Sequence, residues 1–142
     1  MIVLVLNLNE TQAQSILLKL AVHFKELEPY LNPFLPQIKL DGEIIHQTTI
    51  AKSQEGIKIE AEGHLNSFFV SLPDKLDYAI KETRWGSNIS LGLKDNLLES
   101  VQIKDTYLTH PALEIHVQGN IVTKPEFNIN TFILQTKIHA EA

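Results

Sequence analysis

Two stretches of this chain read almost as one: IKIEAEGHL at 57–65 and LEIHVQGNI at 113–121. In both, apolar residues take the first, third, fifth and ninth places, and glycine takes the seventh. Alternation at period two is typical of a strand with one buried and one wet face. Gly63 and Gly119 are in phase with the apolar residues, which predicts a bulge, a sharp bend or the close approach of something large, such as a long helix.

The same alternation continues on both sides of these two stretches. After Pro36 it recurs in IKLDGEII, NSFFVSL, NISLGL, ESVQIKDTYL and FNINTFILQTKIH, and the chain opens with another strand-like run, IVLVLNLN. Turn signals such as SQEG, LPDK, WGSN, KDN and THP separate the segments. Connections this short leave no room for crossover helices, so the sequence predicts an antiparallel sheet of six or seven strands.

One long helix is predicted between the first strand and Pro36. Asn9 with Gln12 forms a capping-box pattern. Apolar residues then recur at helical spacing, at Leu17, Leu20, Phe24, Leu27 and Leu31. A short second helix is predicted near 73–82, where Pro73 suits a first helical turn. The predicted fold is a single α+β domain over 1–142, with a curved sheet wrapped around the N-terminal helix.

Composition excludes several classes of function. The 142 residues carry a net charge of −5, which disfavours binding to nucleic acid. The chain has no cysteine, so disulfides and thiolate chemistry are excluded. Its longest apolar run, 1–6, is far shorter than the ~20 residues of a membrane-spanning helix. The run also lacks the basic flank of a signal peptide, which favours the cytoplasm for the chain as it stands.

Catalytic and metal-binding patterns are weak. His64 and His116 lie on the polar face of the two similar strands, at the eighth and fourth places of the alignment, and are the candidate metal ligands, but no HxH or HExxH spacing accompanies them. Solvated histidines on an open sheet face are the favoured interpretation. Glu60 and Glu62 form a carboxylate pair that does not stand out from a charged face. A hydrolase or metal enzyme is therefore the third hypothesis, and no cofactor is predicted.

The order of the elements resembles that of small bacterial tubular lipid-binding (TULIP-type) domains and related exported domains. The resemblance lies in a helix of the form LNETQAQSILLKL, a piece SLPDKLDYAIK, and a closing pair VQIKDTYL and LEIHVQG. It covers most of the chain without a diagnostic motif. It implies an envelope-facing domain that shelters an acyl chain between helix and sheet, with a signal or anchor that this chain does not show.

The leading hypothesis is a non-enzymatic binding module for an apolar ligand, a lipid or acyl chain. One helix cannot cover a sheet of this size, so apolar surface should be left for a ligand or a partner. The residues predicted to line the site are Leu20, Phe24, Phe34 and Trp85. The alternative is an assembly subunit that buries its apolar face or a sheet edge in a partner or a homo-oligomer.

Overall fold

The chain forms one antiparallel sheet. The computed structural model describes residues 2–9, 14–74 and 76–140, with the backbone alone for 2–9, Gln14 and Leu76. The strands are β1 Ile2–Asn9, β2 Gln14–His23, β3 Lys39–Ser53, β4 Gly56–Leu72, β5 Leu76–Ile80, β6 Thr83–Lys94, β7 Leu97–His110, β8 Leu113–Val122 and β9 Asn128–Ile138. They lie in the order β1-β2-β3-β4-β6-β7-β8-β9, and every pairing is antiparallel.

Strand β4 is the longest and has two different neighbours on one edge. Its first part pairs with β6 and its last part, Phe68–Leu72, pairs with the short strand β5. Strand β3 runs along the other edge of β4 with one irregularity at Gly42. Gly42 has a φ of 98°, and a Cβ there would lie 2.7 Å from the carbonyl oxygens of Asn66 and Ser67. Glycine is therefore required at this bulge.

The predicted long N-terminal helix is wrong. Residues 14–23 form β2, which pairs with β1 on one side and with β3 on the other. Helical structure in this region is limited to a 3-10 turn, Phe24–Leu27, and a single α-helical turn, α1, Glu28–Leu31. The helical spacing of apolar residues was not decisive, because the same segment also alternates at period two, at Ile16, Leu18, Leu20 and Val22. Pairing with the neighbouring strands β1 and β3 stabilises the strand rather than the helix. The capping residue Gln12 lies outside the described residues.

Two smaller predictions also fail. The helix expected near 73–82 is replaced by β5, Leu76–Ile80, because β4 extends far enough to pair with it; Lys75 lies outside the described residues. The WGSN segment is not a turn, since all four residues lie within β6. The α+β class is therefore corrected to a nearly all-β sheet of nine strands, with no helix for it to wrap among the described residues.

The predicted turn at KDN is confirmed. Asp95 and Asn96 join β6 to β7 with φ angles of 50° and 61°. Two consecutive residues at positive φ are typical of the type I′ turn, whose twist matches that of the two strands it joins. Aspartate and asparagine tolerate this conformation better than other side-chain-bearing residues. Local sequence therefore determines this hairpin.

The registers place apolar and polar side chains on opposite faces of the sheet. The apolar face carries the residues in register with Ile59 and Trp85, and the polar face carries those in register with Glu60 and Arg84. Gly63 and Gly119 belong to the apolar face, as the sequence predicts. No second layer of secondary structure covers that face among the described residues, since every described strand belongs to the one sheet.

A small core forms at one end of the sheet. Ile38 and Leu40 are the only hydrophobic side chains of the described residues that are buried. Beside them Phe24 packs edge-on against Phe68, with ring centroids 4.7 Å apart. The Leu40 backbone N–H lies beyond the end of β2 and donates to the Glu28 carboxylate, at 2.7 Å. The helical turns thus cap the edge of β3 that β2 leaves free.

Candidate ligand-binding face

Five isoleucines cross the apolar face in a straight row. They lie on consecutive strands β2, β3, β4, β6 and β7 and are paired in register: Ile16, Ile50, Ile59, Ile89 and Ile103. We call this set the isoleucine row. Its members remain partly accessible, and Ile16 is 37% exposed. A row of partly solvent-exposed aliphatic side chains is the first indication of a surface that binds another apolar group.

A second row contains the chain's one tryptophan. It consists of Leu20, His46, Gly63, Trp85, Leu108 and Ile115, which are also paired in register; we call it the tryptophan row. The Trp85 ring lies over Gly63, where an added Cβ would meet ring atoms at 2.6–2.7 Å. The glycine thus accommodates the ring, rather than the long helix proposed from the sequence.

Smaller side chains separate the two rows. Between them, in register across β3, β4, β6 and β7, lie Thr48, Ala61, Ser87 and Thr106. Alternate residues of a strand are ~6.7 Å apart, so these side chains form a shallow lane about one hydrocarbon chain wide. The three strand spacings from β3 to β7 make this part of the lane ~14 Å long. It runs across the strands, between branched and aromatic side chains.

The polar groups of this face bond to one another. The Trp85 indole N–H donates to His46 Nδ1 at 3.1 Å, which leaves the proton of the neutral imidazole on Nε2. Nε2 then donates to Thr48 Oγ1, at 2.8 Å. The hydroxyls of Ser87 and Thr106 are 2.9 Å apart and hydrogen-bonded. An apolar ligand that covers these groups leaves the three hydrogen bonds intact.

The polar face does not bring the two candidate metal ligands together. His64 on β4 and His116 on β8 are separated by three strand spacings, which amounts to ~14 Å. Among residues 2–9, 14–74 and 76–140 no group of three or more His, Asp or Glu side chains is arranged to hold a metal ion. The two histidines therefore lie on the same face of the sheet but not at a shared site.

His116 takes part in a cluster of charged groups on the polar face. Its Nε2 lies 2.8 Å from Glu114 Oε1, and its Nδ1 lies 3.6 Å from Asp105 Oδ1. The hydrogen bond with Glu114 raises the pKa of His116 above its usual 6.5. The same bond lowers the pKa of Glu114 below its usual 4.5. Both groups are open to solvent, so the cluster is a surface ion pair and lacks the desolvated setting of a catalytic acid or base.

An open depression of about 310 Å³ lies on the polar face near the middle of the sheet. The carboxylates Glu60 and Glu62 line it together with Asp105 and Tyr107. Tyr107 packs over Gly86, where an added Cβ would meet its ring at 2.5–2.8 Å. The Tyr107–Gly86 contact is thus the polar-face counterpart of the Trp85–Gly63 contact. It is wide open to solvent, which gives its carboxylates no special reactivity.

The four residues predicted to line a ligand site are not all together. Leu20 and Trp85 lie in the same row of the apolar face, three strand spacings apart. Phe24 lies at the end of the sheet, against Phe68. Phe34 lies in the loop before β3 and is 81% exposed. Leu20 and Trp85 therefore belong to one surface, and the two phenylalanines lie outside the two rows.

Sequence reasoning missed the isoleucine row and the His46–Trp85 bond. A row across a sheet is made by strand register, and sequence alone does not show register. The available signal was the period-two alternation, which places Ile50, Ile59 and Ile89 on one face of their strands but does not align them. His46 lies well inside β3, and its place beside Trp85 depends on the register between β3, β4 and β6.

The described part of the chain contains no helix long and apolar enough to span a membrane. Comparison with known proteins finds no family model that matches this chain, and no curated protein or solved structure with significant similarity to it.

Proposed function

We propose that the protein is a non-enzymatic binding protein for an elongated apolar ligand, the acyl chain of a lipid or fatty acid, which lies on the apolar face of the sheet. The observation that carries the proposal is the isoleucine row: five partly exposed aliphatic side chains in register, with no layer over them among the described residues. The ligand would supply the missing layer in place of the helix expected from the sequence.

Burial of apolar surface supplies the affinity. Each CH₂ group removed from water contributes about 0.8 kcal/mol, so a dozen methylenes contribute about 10 kcal/mol before the costs of association. Association itself costs at least ~4 kcal/mol, so at most about 6 kcal/mol remains, which corresponds to a dissociation constant of tens of micromolar or weaker. No charged partner is needed for this, because the contact is between hydrocarbon and aliphatic side chains.

The shape of the face favours a chain over a bulky ligand. The lane of Thr48, Ala61, Ser87 and Thr106 is one residue row wide and is flanked by the isoleucine and tryptophan rows. Its hydroxyls and the His46–Trp85 pair are already hydrogen-bonded. A hydrocarbon chain that lies in the lane leaves these bonds intact.

The single tryptophan provides a direct assay. Trp85 lies beside the lane, so a fatty acid brominated along its chain should quench its fluorescence in a saturable manner when it binds. Unlabelled palmitate should compete and restore the signal. Native mass spectrometry before and after organic extraction would identify a ligand that copurifies with the protein. Absence of saturable quenching from the folded protein would refute the proposal.

Leu20 and Lys19 form a matched pair for mutation. They are adjacent on β2, with Leu20 half-buried on the apolar face and Lys19 exposed on the polar face. Leu20→Glu places a charge beside the hydrocarbon and should raise the dissociation constant measured by quenching at least tenfold. Lys19→Glu places the same charge on the other face and should leave it unchanged. Equal binding by both variants would contradict the assigned face.

Ala61 tests the lane itself. Ala61→Phe fills it from the middle of β4, while Ala51→Phe adds the same ring to the polar face on the neighbouring strand. The first change should abolish binding of the brominated fatty acid, and the second should have no effect. If both variants bind like the wild type, the ligand does not lie in the lane.

A further inference from the structure

Strand β9 leaves one edge of the sheet open. Among the described residues β9 pairs only with β8, and all eleven of its residues are exposed. Phe132 and Leu134 are each 59% exposed and Ile138 is 78% exposed. Lys137 is the only charged residue in the strand. Natural edge strands usually carry charges, prolines or bulges that prevent pairing, and apart from Lys137 and one irregularity near Ile129, β9 has none.

The outward hydrogen-bonding groups of β9 can be identified. The His139 N–H donates to the Ala112 carbonyl, at 3.0 Å, one position beyond the last β8–β9 pair. Inward and outward bonding alternate along an antiparallel strand. Odd-numbered residues from 133 to 137 therefore bond to β8, and even-numbered residues from 132 to 138 direct their N–H and C=O groups to the open edge. The side chains of this second set lie on the apolar face.

The sheet contains a three-strand unit twice, and comparison of the two copies indicates which partner the open edge of β9 could bind. In the first unit, β3, β4 and β6 are consecutive, and Trp85 of β6 covers Gly63 of β4. In the second, β7, β8 and β9 are consecutive, and a Cβ on Gly119 of β8 would lie 3.1 Å from the Thr131 carbonyl oxygen and 3.3 Å from the Phe132 ring of β9. The repeated glycines of the two similar sequence stretches thus occupy equivalent places, and each has an aromatic ring of the neighbouring strand beside it.

The two units differ at their outer edge. The edge of β6 that faces away from β4 is paired over eleven positions with β7, the first strand of the next unit. The equivalent edge of β9 has no partner among the described residues. By this equivalence, the open edge of β9 is a docking site for a further antiparallel strand, as β6 pairs with β7 within the chain.

We propose that the open edge of β9 binds β1 of a second copy of this chain, so that copies join head to tail into a continuous sheet. The outer edge of β1 is also unpaired among the described residues. The eight strands on the main path alternate in direction, so β9 and β1 run in opposite directions. A second copy in the same orientation therefore presents β1 antiparallel to β9 and keeps its apolar face on the same side. This assembly does not depend on ligand binding.

The first test compares two proline variants in a concentration series of native mass spectra. Thr136→Pro removes an outward N–H of β9, whereas Gln135→Pro removes an N–H that bonds to β8. The wild type should form multimers whose mass rises with concentration. Thr136→Pro should be a monomer with a melting temperature close to that of the wild type, and Gln135→Pro should melt lower. A wild type that stays monomeric, or multimers unaffected by Thr136→Pro, would overturn the proposal.

The second test does not require a proline in the strand. Because the chain has no cysteine, Asn7→Cys in β1 and Gln135→Cys in β9 each carry a single thiol for a spin label. Neighbouring strands are ~4.8 Å apart, so a mixture of the two labelled variants should give a short distance, below about 20 Å. A sample that contains only labelled Gln135→Cys should give no distance in this short range. A short distance in that sample without one in the mixture would show a two-fold β9–β9 dimer and overturn the head-to-tail arrangement.

Discussion

Gly63→Ala should destabilise the protein, although alanine usually favours folded structure over glycine. The new Cβ would lie 2.6 Å from Trp85 Cε2 and 2.7 Å from Nε1, whereas carbon atoms in contact are about 3.5–4.0 Å apart. The ring must therefore move by about 1 Å. Because its Nε1 is 3.1 Å from His46 Nδ1, a shift of that size breaks the hydrogen bond.

The expected loss of stability follows from three effects. Overpacking costs about 1–3 kcal/mol, and the lost hydrogen bond adds about 1 kcal/mol. The reduced freedom of the unfolded chain offsets about 0.4–1 kcal/mol. The unfolding free energy should therefore fall by about 2 kcal/mol, which lowers the melting temperature by about 4–8 °C. Urea unfolding followed by circular dichroism measures the change.

A double-mutant cycle tests whether Trp85 is the cause. In a Trp85→Val background the ring is absent, so Gly63→Ala should cost little or stabilise the protein, and the coupling energy should be about 1–2 kcal/mol. Circular dichroism remains usable because it does not depend on the tryptophan. If Gly63→Ala leaves the wild type as stable as before, or costs the same in both backgrounds, the assignment of this glycine to the ring is refuted.

Three further changes test other contacts. Gly119→Ala should cost less than Gly63→Ala in the same urea experiment, because its Cβ would lie 3.1 Å from the Thr131 carbonyl oxygen and 3.3 Å from the exposed Phe132 ring, which are longer contacts than those at Gly63; an equal or larger loss would contradict this ranking. Glu28→Ala should lower the unfolding free energy by about 1–2 kcal/mol, since the Leu40 N–H loses its acceptor, and Glu28→Gln should lose less; equal losses would exclude the hydrogen bond. Glu114→Gln should lower the pKa of His116 in an NMR titration, because the Glu114 hydrogen bond is the main cause of its elevation. The stabilisation from His116 is full below its unfolded pKa near 6.5 and is lost as pH rises through the higher folded pKa; an unchanged pKa in the variant would contradict it.

Local sequence was sufficient for most strands and for one hairpin. Strands β4 and β8 follow from strict alternation in IKIEAEGHL and LEIHVQGNI, and the same alternation places Gly63 and Gly119 on the apolar face. The β6–β7 hairpin follows from Asp95 and Asn96, whose side chains tolerate positive φ. These features depend on neighbours in the chain, so they are readable without the fold.

The N-terminal helix shows where local reasoning ended. Residues 14–23 are apolar at both helical and strand spacing, and intrinsic propensity is a weak preference that tertiary context overrides. As a strand, β2 forms backbone hydrogen bonds with both β1 and β3. A helix at 14–23 would bond only within itself and would leave the facing edges of β1 and β3 unpaired. The helix was also expected to cover part of the apolar face, which has no second layer over it among the described residues.

The sequence by itself determined which side chains share a face of each strand, because that depends only on the two-residue period of the backbone. Tertiary structure decided which of them meet. Strand register aligned the five isoleucines, placed Trp85 over Gly63 beside His46, and set His64 three strand spacings from His116. Register is a property of pairs of strands distant in sequence, and a shift of one residue would move every side chain to the other face. The candidate surface is therefore a product of pairing and not of any one segment.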